Sequence, residues 1–383
     1  MKRNLAIFVT LGLACLGSIS CGSSASSNAI RIGAIYSLQG DQASLDENSL
    51  RGAELAVQEI NRRGGVLGTP IALEVRDANN SGSDAAAAAK DLYQQQGLSV
   101  VIGLSDTDLA QPVAEISQEQ GALFVTSGAT GPALVSEAPD STFLACFSDP
   151  AQAAAAAEYG SRHLHLRRVS LVYDAGSEYA RVLSRAFREE FTRQGGSVQS
   201  EVLFGRQPFD VAAIVQNVMR ESAPAVFLAG QPEEVSVVIS GLRDAGFSGV
   251  ILGGDSYDSP LILGLSDAQK RDVYFTTHAF LSGELLSPEV AAFVESYTSQ
   301  YGERPSSAFA ALGFDAVGIV ATAIERAGST EPKAVRGALE SIVNYRAVTG
   351  LVSYAPGRHI PSKDITIVSF VGSSPVKMAV IRR

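Results

Sequence analysis

From Ile30 onward, short β-branched runs alternate with amphipathic ones, the pattern of a parallel sheet covered by helices. The first run, IRIGAIYSL, is bounded by Gln39-Gly40. The segment SLRGAELAVQEINRRGG then repeats Leu50, Ala53, Val57 and Ile60 at helical spacing and stops at Gly64-Gly65. Strands PIALEVRDA, SVVIG and ALFVT follow, separated by helices from Ala85 to Gln96 and Leu109 to Gln120. After Asp149-Pro150 the rhythm restarts. Helices Ala151 to Leu164, Tyr179 to Gln194, Val211 to Glu221 and Glu233 to Ala245 alternate with strands RRVSLVYD, SVQSEVLF, PAVFLAG and GVILGGD. Two βα arrays of similar length thus lie in tandem, as expected for a 383-residue chain that is too long for one core.

The tail departs from the tandem. Ala308 to Ala327 reads as a long apolar helix, whereas TGLVSYAPG, DITIVSFVG and VKMAVIRR read as strands. Such strands need sheets to join, so the chain is expected to cross back between lobes. Several crossings make a hinge, and a hinge between α/β lobes makes a cleft into which the carboxyl ends of both sheets point.

The first residues read as a processing signal. Lys2 and Arg3 precede an apolar run from Leu5 to Leu16, which is shorter than the ~20 residues of a bilayer span. Small residues lead into Cys21 and the tether GSSASSN. A cysteine at the cut resembles a bacterial lipoprotein signal, with residues 1–20 removed, 21–28 a tether and Cys21 acylated. Ser18 stands where lipobox patterns have leucine; Cys15 is a weaker competitor, and an ordinary cut near Ser20 is the alternative. Either way the mature chain is exported, to the periplasm or the cell surface, and a lipid on Cys21 is its only expected contact with the membrane.

The formal charge of −10 deepens by two once Lys2 and Arg3 are removed, which argues against nucleic acid or an anionic membrane surface as partner. In the mature fold only Cys146 stays unmodified, and a lone cysteine makes no internal disulfide.

Three polar clusters end strands. In SVVIGLSDTDLAQPV, Ser105, Asp106 and Thr107 lead into a helix expected near Leu109. In ALFVTSGATGPAL, Ser127-Gly128-Ala129-Thr130 precedes Pro132, which suits a first helical turn. Hydroxyls beside helix N-termini make a carboxylate seat, and plain capping is the competing explanation. The third cluster is acidic: Asp149 follows ACFS, and Asp255 ends VILGGD, where it either holds an ammonium group or caps the turn before Pro260.

The opening IRIGAIYSLQG, the stretch GAELAVQEINRRGGVLG with IALEVRDA, and the blocks VIGLSDTDLAQPVAEI, TSGATGPAL and DAGSEYA together resemble the type I periplasmic binding proteins of branched-chain amino acid transporters, the leucine-isoleucine-valine binding type. The resemblance covers Ile30 to the end. It implies an α/β fold of two Rossmann-like lobes joined by three crossovers, with residues 29–148 and 278–354 in one lobe and 149–277 and 355–383 in the other. It also implies a binding protein that is no enzyme and needs no cofactor or metal. Such a protein captures a small-molecule ligand by lobe closure and hands it to an ABC transporter permease.

Position by position, the resemblance places Thr107 and Thr130 on a ligand carboxylate, and the Gly128 carbonyl with Asp255 on its α-ammonium. Asp149 falls at the acidic position beside the hinge, and Tyr179 where an aromatic wall closes from the second lobe. Gln231 stands where relatives that bind branched chains have an aromatic residue, and Asp255 is one methylene shorter than the glutamate often found there. Asp106 would repel a carboxylate unless it turns away as a helix cap. These departures leave room for an amide-like ligand or a small carboxylic acid.

Two other classes compete. An enzyme would need a phosphate cradle or nucleophile elbow, yet GxGxxG, GxxxxGK and GxSxG are all missing from the chain. His163 and His165, among Arg162, Arg167 and Arg168, read as a solvated surface; His278 and His359 have no partner at metal-ligand spacing. A sensor subunit would use the same two lobes but signal through another protein.

Overall fold

The computed structural model describes residues 29–205, 208–283 and 285–382, so the leader and Cys21 lie outside the described residues. The first sheet contains β1 (Ile30–Tyr36), β2 (Ile71–Asp77), β3 (Val100–Gly103), β4 (Leu123–Thr126) and β5 (Thr142–Leu144). Its order is β2-β1-β3-β4-β5, parallel throughout. Both faces are covered. Helices Ala43–Arg62 and Phe309–Ala327 pack on one face and Gly82–Lys90 and Thr107–Gln120 on the other, which is why most of β1 and all of β3 and β4 are buried.

The second sheet contains β6 (Arg168–Asp174), β7 (Ser197–Phe204), β8 (Ala225–Ala229), β9 (Val250–Gly253) and β10 (Val273–Thr277). A further short pair, β11 (Tyr345–Ala347) and β12 (Gly350–Val352), forms its own ribbon. The strand expected in TGLVSYAPG therefore joins neither large sheet. It folds back on Tyr345–Ala347 instead, and Asp315 holds the turn by accepting from the backbone N–H groups of Val348 and Thr349. The last strands, β13 (Ile365–Val371) and β14 (Ser374–Ile381), do extend the second sheet, giving the order β14-β13-β10-β9-β8-β6-β7. They run antiparallel, so this sheet is mixed rather than purely parallel.

Helices Val211–Glu221 and Pro232–Asp244 cover one face of the second sheet; Asp149–Arg162 and Glu178–Arg193 cover the other. The helix Glu178–Arg193 shows why: Tyr179, Leu183, Phe187 and Phe191 recur every four residues and are buried, and the Ser177 hydroxyl accepts from Ala180 N at its start. Each such apolar side chain contributes about 1.5–3 kcal/mol by leaving water.

The parallel parts share one winding, in which the second strand lies on one side of the first and the later strands on the other. That places a switch point between β1 and β3 and another between β6 and β8, and in open α/β sheets such points are where ligands bind. The chain passes between the sheets after β5, after β10 and before β13. Among the described residues no helix is long and apolar enough to cross a membrane.

Candidate functional site

The two switch points meet. Gln231, after β8, donates from Nε2 to Asp106 Oδ2 of the loop after β3 at 2.5 Å, and its Oε1 accepts from Gln42, which follows β1. Beside it, the backbone N–H of Glu178 donates to the Asp108 carboxylate at 3.2 and 3.3 Å, joining the N-terminus of one lobe's helix to an acid of the other. A cavity of about 20 Å³ remains at this mouth, lined by Asp41, Gln42, Asp106 and Gln231 among others.

The first lobe's loops are pinned from within. Asp106 is the N-cap of the helix Thr107–Gln120 and accepts from Leu109 N at 3.0 Å, so the helix starts two residues before the expected Leu109. Its charge is engaged as a cap, the arrangement that spares a neighbouring carboxylate seat. Thr107 Oγ1 accepts from Gly131 N at 3.1 Å, locking the loop after β3 to the loop after β4. Gly128 sits where a Cβ would lie 2.7 Å from the Phe309 ring and 3.0 Å from Ser105 Oγ, so only glycine fits. Ser105 Oγ is itself buried without a hydrogen-bond partner among the described residues.

The second lobe and the first crossover supply a buried polar chain. Thr130 Oγ1 donates to Asp149 Oδ1 at 2.6 Å, and Gln152 Nε2 donates to both Asp149 Oδ1 and Asp255 Oδ1 at 3.0 Å. Tyr179 donates its hydroxyl to Asp255 Oδ1 at 3.0 Å, and His278 Nε2 lies 2.9 Å from Asp255 Oδ2. The Gln152 Oε1 accepts from Thr276 Oγ1 at 2.7 Å and Asp255 N at 3.1 Å, which fixes the amide's orientation. Gly254 makes room for this: a Cβ there would stand 2.3 Å from the Tyr179 hydroxyl.

Burial governs the charges. It pushes the Asp149 carboxyl up to about 8, against the hydrogen bond from Thr130, and holds the His278 imidazole below its ordinary value. Near neutral pH the two acids therefore face a threonine, a glutamine, a tyrosine and an uncharged histidine. In the first lobe burial likewise raises Asp46 to about 7, although it accepts from Ser37 N at 2.7 Å.

The fold has known counterparts. The model of the periplasmic binding protein family matches residues 29–374. The chain belongs to the periplasmic binding protein family. Among curated relatives of this family, the Leu/Ile/Val-binding protein homolog 3 of Brucella melitensis is 27% identical over 88% of this chain and 90% of its own length. The Leu/Ile/Val-binding protein BraC3 of Rhizobium johnstonii is 28% identical over the same shares. The solved leucine binding protein LivK of Thermotoga maritima superposes with a TM-score of 0.85 at 27% identity, covering 92% of this chain and 99% of that one. A solute binding protein from Rhodopseudomonas palustris, in complex with 3,4-dihydroxybenzoic acid, shares the fold at TM-score 0.83 and 17% identity, over 92% and 97% of the two chains.

Within this periplasmic binding protein the expected residues fall into one connected region. Thr130, Asp149, Tyr179 and Asp255 lie on a single hydrogen-bonded chain, Gly128 is on the same loop as Thr130, and Thr107 and Gln231 flank it through Gly131 and Asp106. Two have different neighbours from those expected. Tyr179 meets Asp255 through its hydroxyl, and Gln231 ties lobe to lobe. Sequence reasoning missed Gln152, Thr276 and Asp46. Gln152 carries a signal, as a buried amide in an alanine-rich helix one turn after Asp149. His278 does have a partner, Asp255, which sequence spacing alone does not reveal. Among the described residues no group of three or more ligands for a metal occurs, and His163 and His165 are exposed.

Proposed function

We propose that this protein is an extracytoplasmic solute-binding lipoprotein that captures an amino acid or close analogue between its lobes and delivers it to an ABC transporter permease. The observation that supports this most is a buried pair of acids, Asp149 and Asp255, whose partners near neutral pH carry no positive charge. A ligand ammonium supplies the missing cation; an uncompensated buried charge costs several kcal/mol. Thr107 and the backbone N–H of Thr130 stand at the facing strand ends, next to the helix Thr107–Gln120, for the carboxylate, and the Gly128 carbonyl stands there for the ammonium. Two or three charge-assisted hydrogen bonds at about 1.5–3 kcal/mol each supply about 3–9 kcal/mol before the ordering cost, so micromolar binding, about 8 kcal/mol, also needs the apolar burial that closure over the ligand adds.

Closure follows from the same geometry. The first lobe's loops are held by their own bonds and offer a preformed surface, while Tyr179, Gln231 and Asp255 come from the second. Ligand shifts the population toward the closed form, the shape a permease recognises. The names of the curated relatives support an amino-acid ligand. Asp255 argues against an aromatic acid such as the one in the Rhodopseudomonas palustris complex, since an anion without an amine would lie beside its carboxylate with no cation between them. Export and acylation at Cys21 complete the reading, and mass spectrometry of the mature chain should find lipid on Cys21; an unmodified N-terminus elsewhere would refute the anchor.

A thermal-shift panel of amino acids, their α-amides and small carboxylic acids tests the ligand class. A zwitterion at a hundred times its Kd should stabilise the fold by about 2.7 kcal/mol, with amides much weaker. Equal stabilisation by amides would reverse the carboxylate assignment, and stabilisation by amine-free acids alone would overturn the amino-acid reading.

A further inference from the structure

We infer that Asp149, rather than Asp255, receives the ligand's ammonium group, and that it gives up a proton in doing so. This rests on the amino-acid reading of the cleft. A carboxylate offers about four acceptor sites. Asp255 has three occupied by its own chain, from Gln152 and Tyr179 on Oδ1 and from His278 on Oδ2. Asp149 has both its donors, Thr130 and Gln152, on Oδ1; its Oδ2 is buried and has no hydrogen-bond partner among the described residues. Oδ2 is thus the acid oxygen left for an N–H from outside the chain.

The surroundings decide what Oδ2 carries before ligand arrives. Asp255 and Glu178 add negative charge, Tyr179 and Cys146 are neutral because burial raises both, and His278 is neutral because burial lowers it. Lys363 turns its Nζ to the Ala145 carbonyl at 2.9 Å and to Thr349, on the hinge. The first turn of the helix Asp149–Arg162 favours the ionised form, but burial outweighs it, since the carboxyl stands at about 8. At pH 7 Asp149 is therefore protonated on Oδ2. When R–NH₃⁺ binds there, the carboxyl ionises and its proton leaves to solvent, with no other bond changed.

The sign follows. Below pH 8 each binding event releases about one proton, so affinity rises about tenfold per pH unit up to pH 8 and is flat above it. Glu233 works the other way. Burial and the facing Asp41 raise it to about 7, so bringing the lobes together takes up a proton between its ordinary range and pH 7. Asp46 also titrates near 7 but is bonded within the first lobe.

The test is calorimetry of the full-length protein carrying Glu233→Gln, with L-leucine and L-asparagine, at pH 6–7 in buffers of different ionisation enthalpy. About one proton should be released per ligand. Adding Asp149→Asn should abolish the release and the pH slope, whereas adding Asp255→Asn should keep both while weakening binding. Binding without proton release, or release that survives Asp149→Asn, overturns the assignment and leaves the amino-acid reading standing. If the Asp149→Asn chain does not fold, the proton count of Glu233→Gln alone decides. Failure of both amino acids to bind wild type overturns both readings together.

Discussion

The carboxyl ends of the two sheets bring opposite chemistries to one cleft. The loops after β3 and β4 carry hydroxyls, glycine and backbone N–H groups, and their main contacts are to one another: Asp106 to Leu109, Thr107 to Gly131. The ends after β8 and β9, with the first crossover, carry acids and amides whose contacts run between elements: Gln152 to Asp149 and Asp255, Gln231 to Asp106. A side chain bonded inside its own loop sets shape, and one bonded between elements sets how the lobes meet. Substitutions that remove contacts of the first kind should therefore act mostly on stability, and those that remove contacts of the second kind on affinity as well.

Asp255→Ala should have the largest effect. It leaves Gln152 Nε2, the Tyr179 hydroxyl and His278 Nε2 without their shared acceptor, in a region where Asp255 and His278 are 2% and 3% exposed. Each buried group left unpaired costs about 1–3 kcal/mol, and relaxation recovers part. Urea unfolding should show a loss of about 3 kcal/mol, and calorimetry at least a tenfold loss of amino-acid affinity, since Gln152 loses the anchor that aims it at Asp149. Unchanged binding would remove Asp255 from the site.

Thr130→Val and Thr107→Val sharpen the comparison, because the same near-isosteric change falls on the two kinds of contact. Thr130 donates across the crossover to Asp149, so its loss should reduce affinity about tenfold, near 1.4 kcal/mol, with a stability change of about 1 kcal/mol. Thr107 accepts from Gly131 within the first lobe; its loss should lower stability by about 1 kcal/mol and affinity less than Thr130→Val does. Equal losses of affinity at both positions would erase the distinction between the two kinds of contact.

The fold was legible where periodicity is clear: Leu50, Ala53, Val57 and Ile60 sit at helical spacing, and IRIGAIY is a run buried on both faces, whereas β10 and the helices Pro288–Tyr301 and Pro332–Glu340 went unread. The antiparallel β13 and β14 were readable as strands, but their direction was not, since strand direction depends on where the third crossing enters the second sheet. Strand-end polar residues marked the site, because residues there have no ladder or core to satisfy them. Gln152 and His278 stayed hidden for the opposite reason. One lies inside a helix and the other directly follows β10, and their partner Asp255 is 103 and 23 positions away.

Gln231→Ala should have the smallest effect and bears most directly on closure. Gln231 is the N-cap of the helix Pro232–Asp244, yet the cap survives its loss, because Glu234 Oε2 accepts from the residue-231 backbone N–H at 2.8 Å whatever the side chain. Gln231 and its partners Asp106 and Gln42 are buried, however, so stability should fall by about 1 kcal/mol, the net worth of a typical hydrogen bond. The cross-cleft bonds to Asp106 and Gln42 vanish, and water entering the small cavity beside them offsets part of the loss. A net loss of about 1 kcal/mol gives an affinity reduction of about fivefold, carried by faster dissociation because the closed form is what the bonds hold. Stopped-flow release of bound amino acid measures this. A variant that binds and releases ligand like wild type would show that closure depends on the buried acids alone, whereas a loss as large as that of Asp255→Ala would move the principal contact out to the mouth.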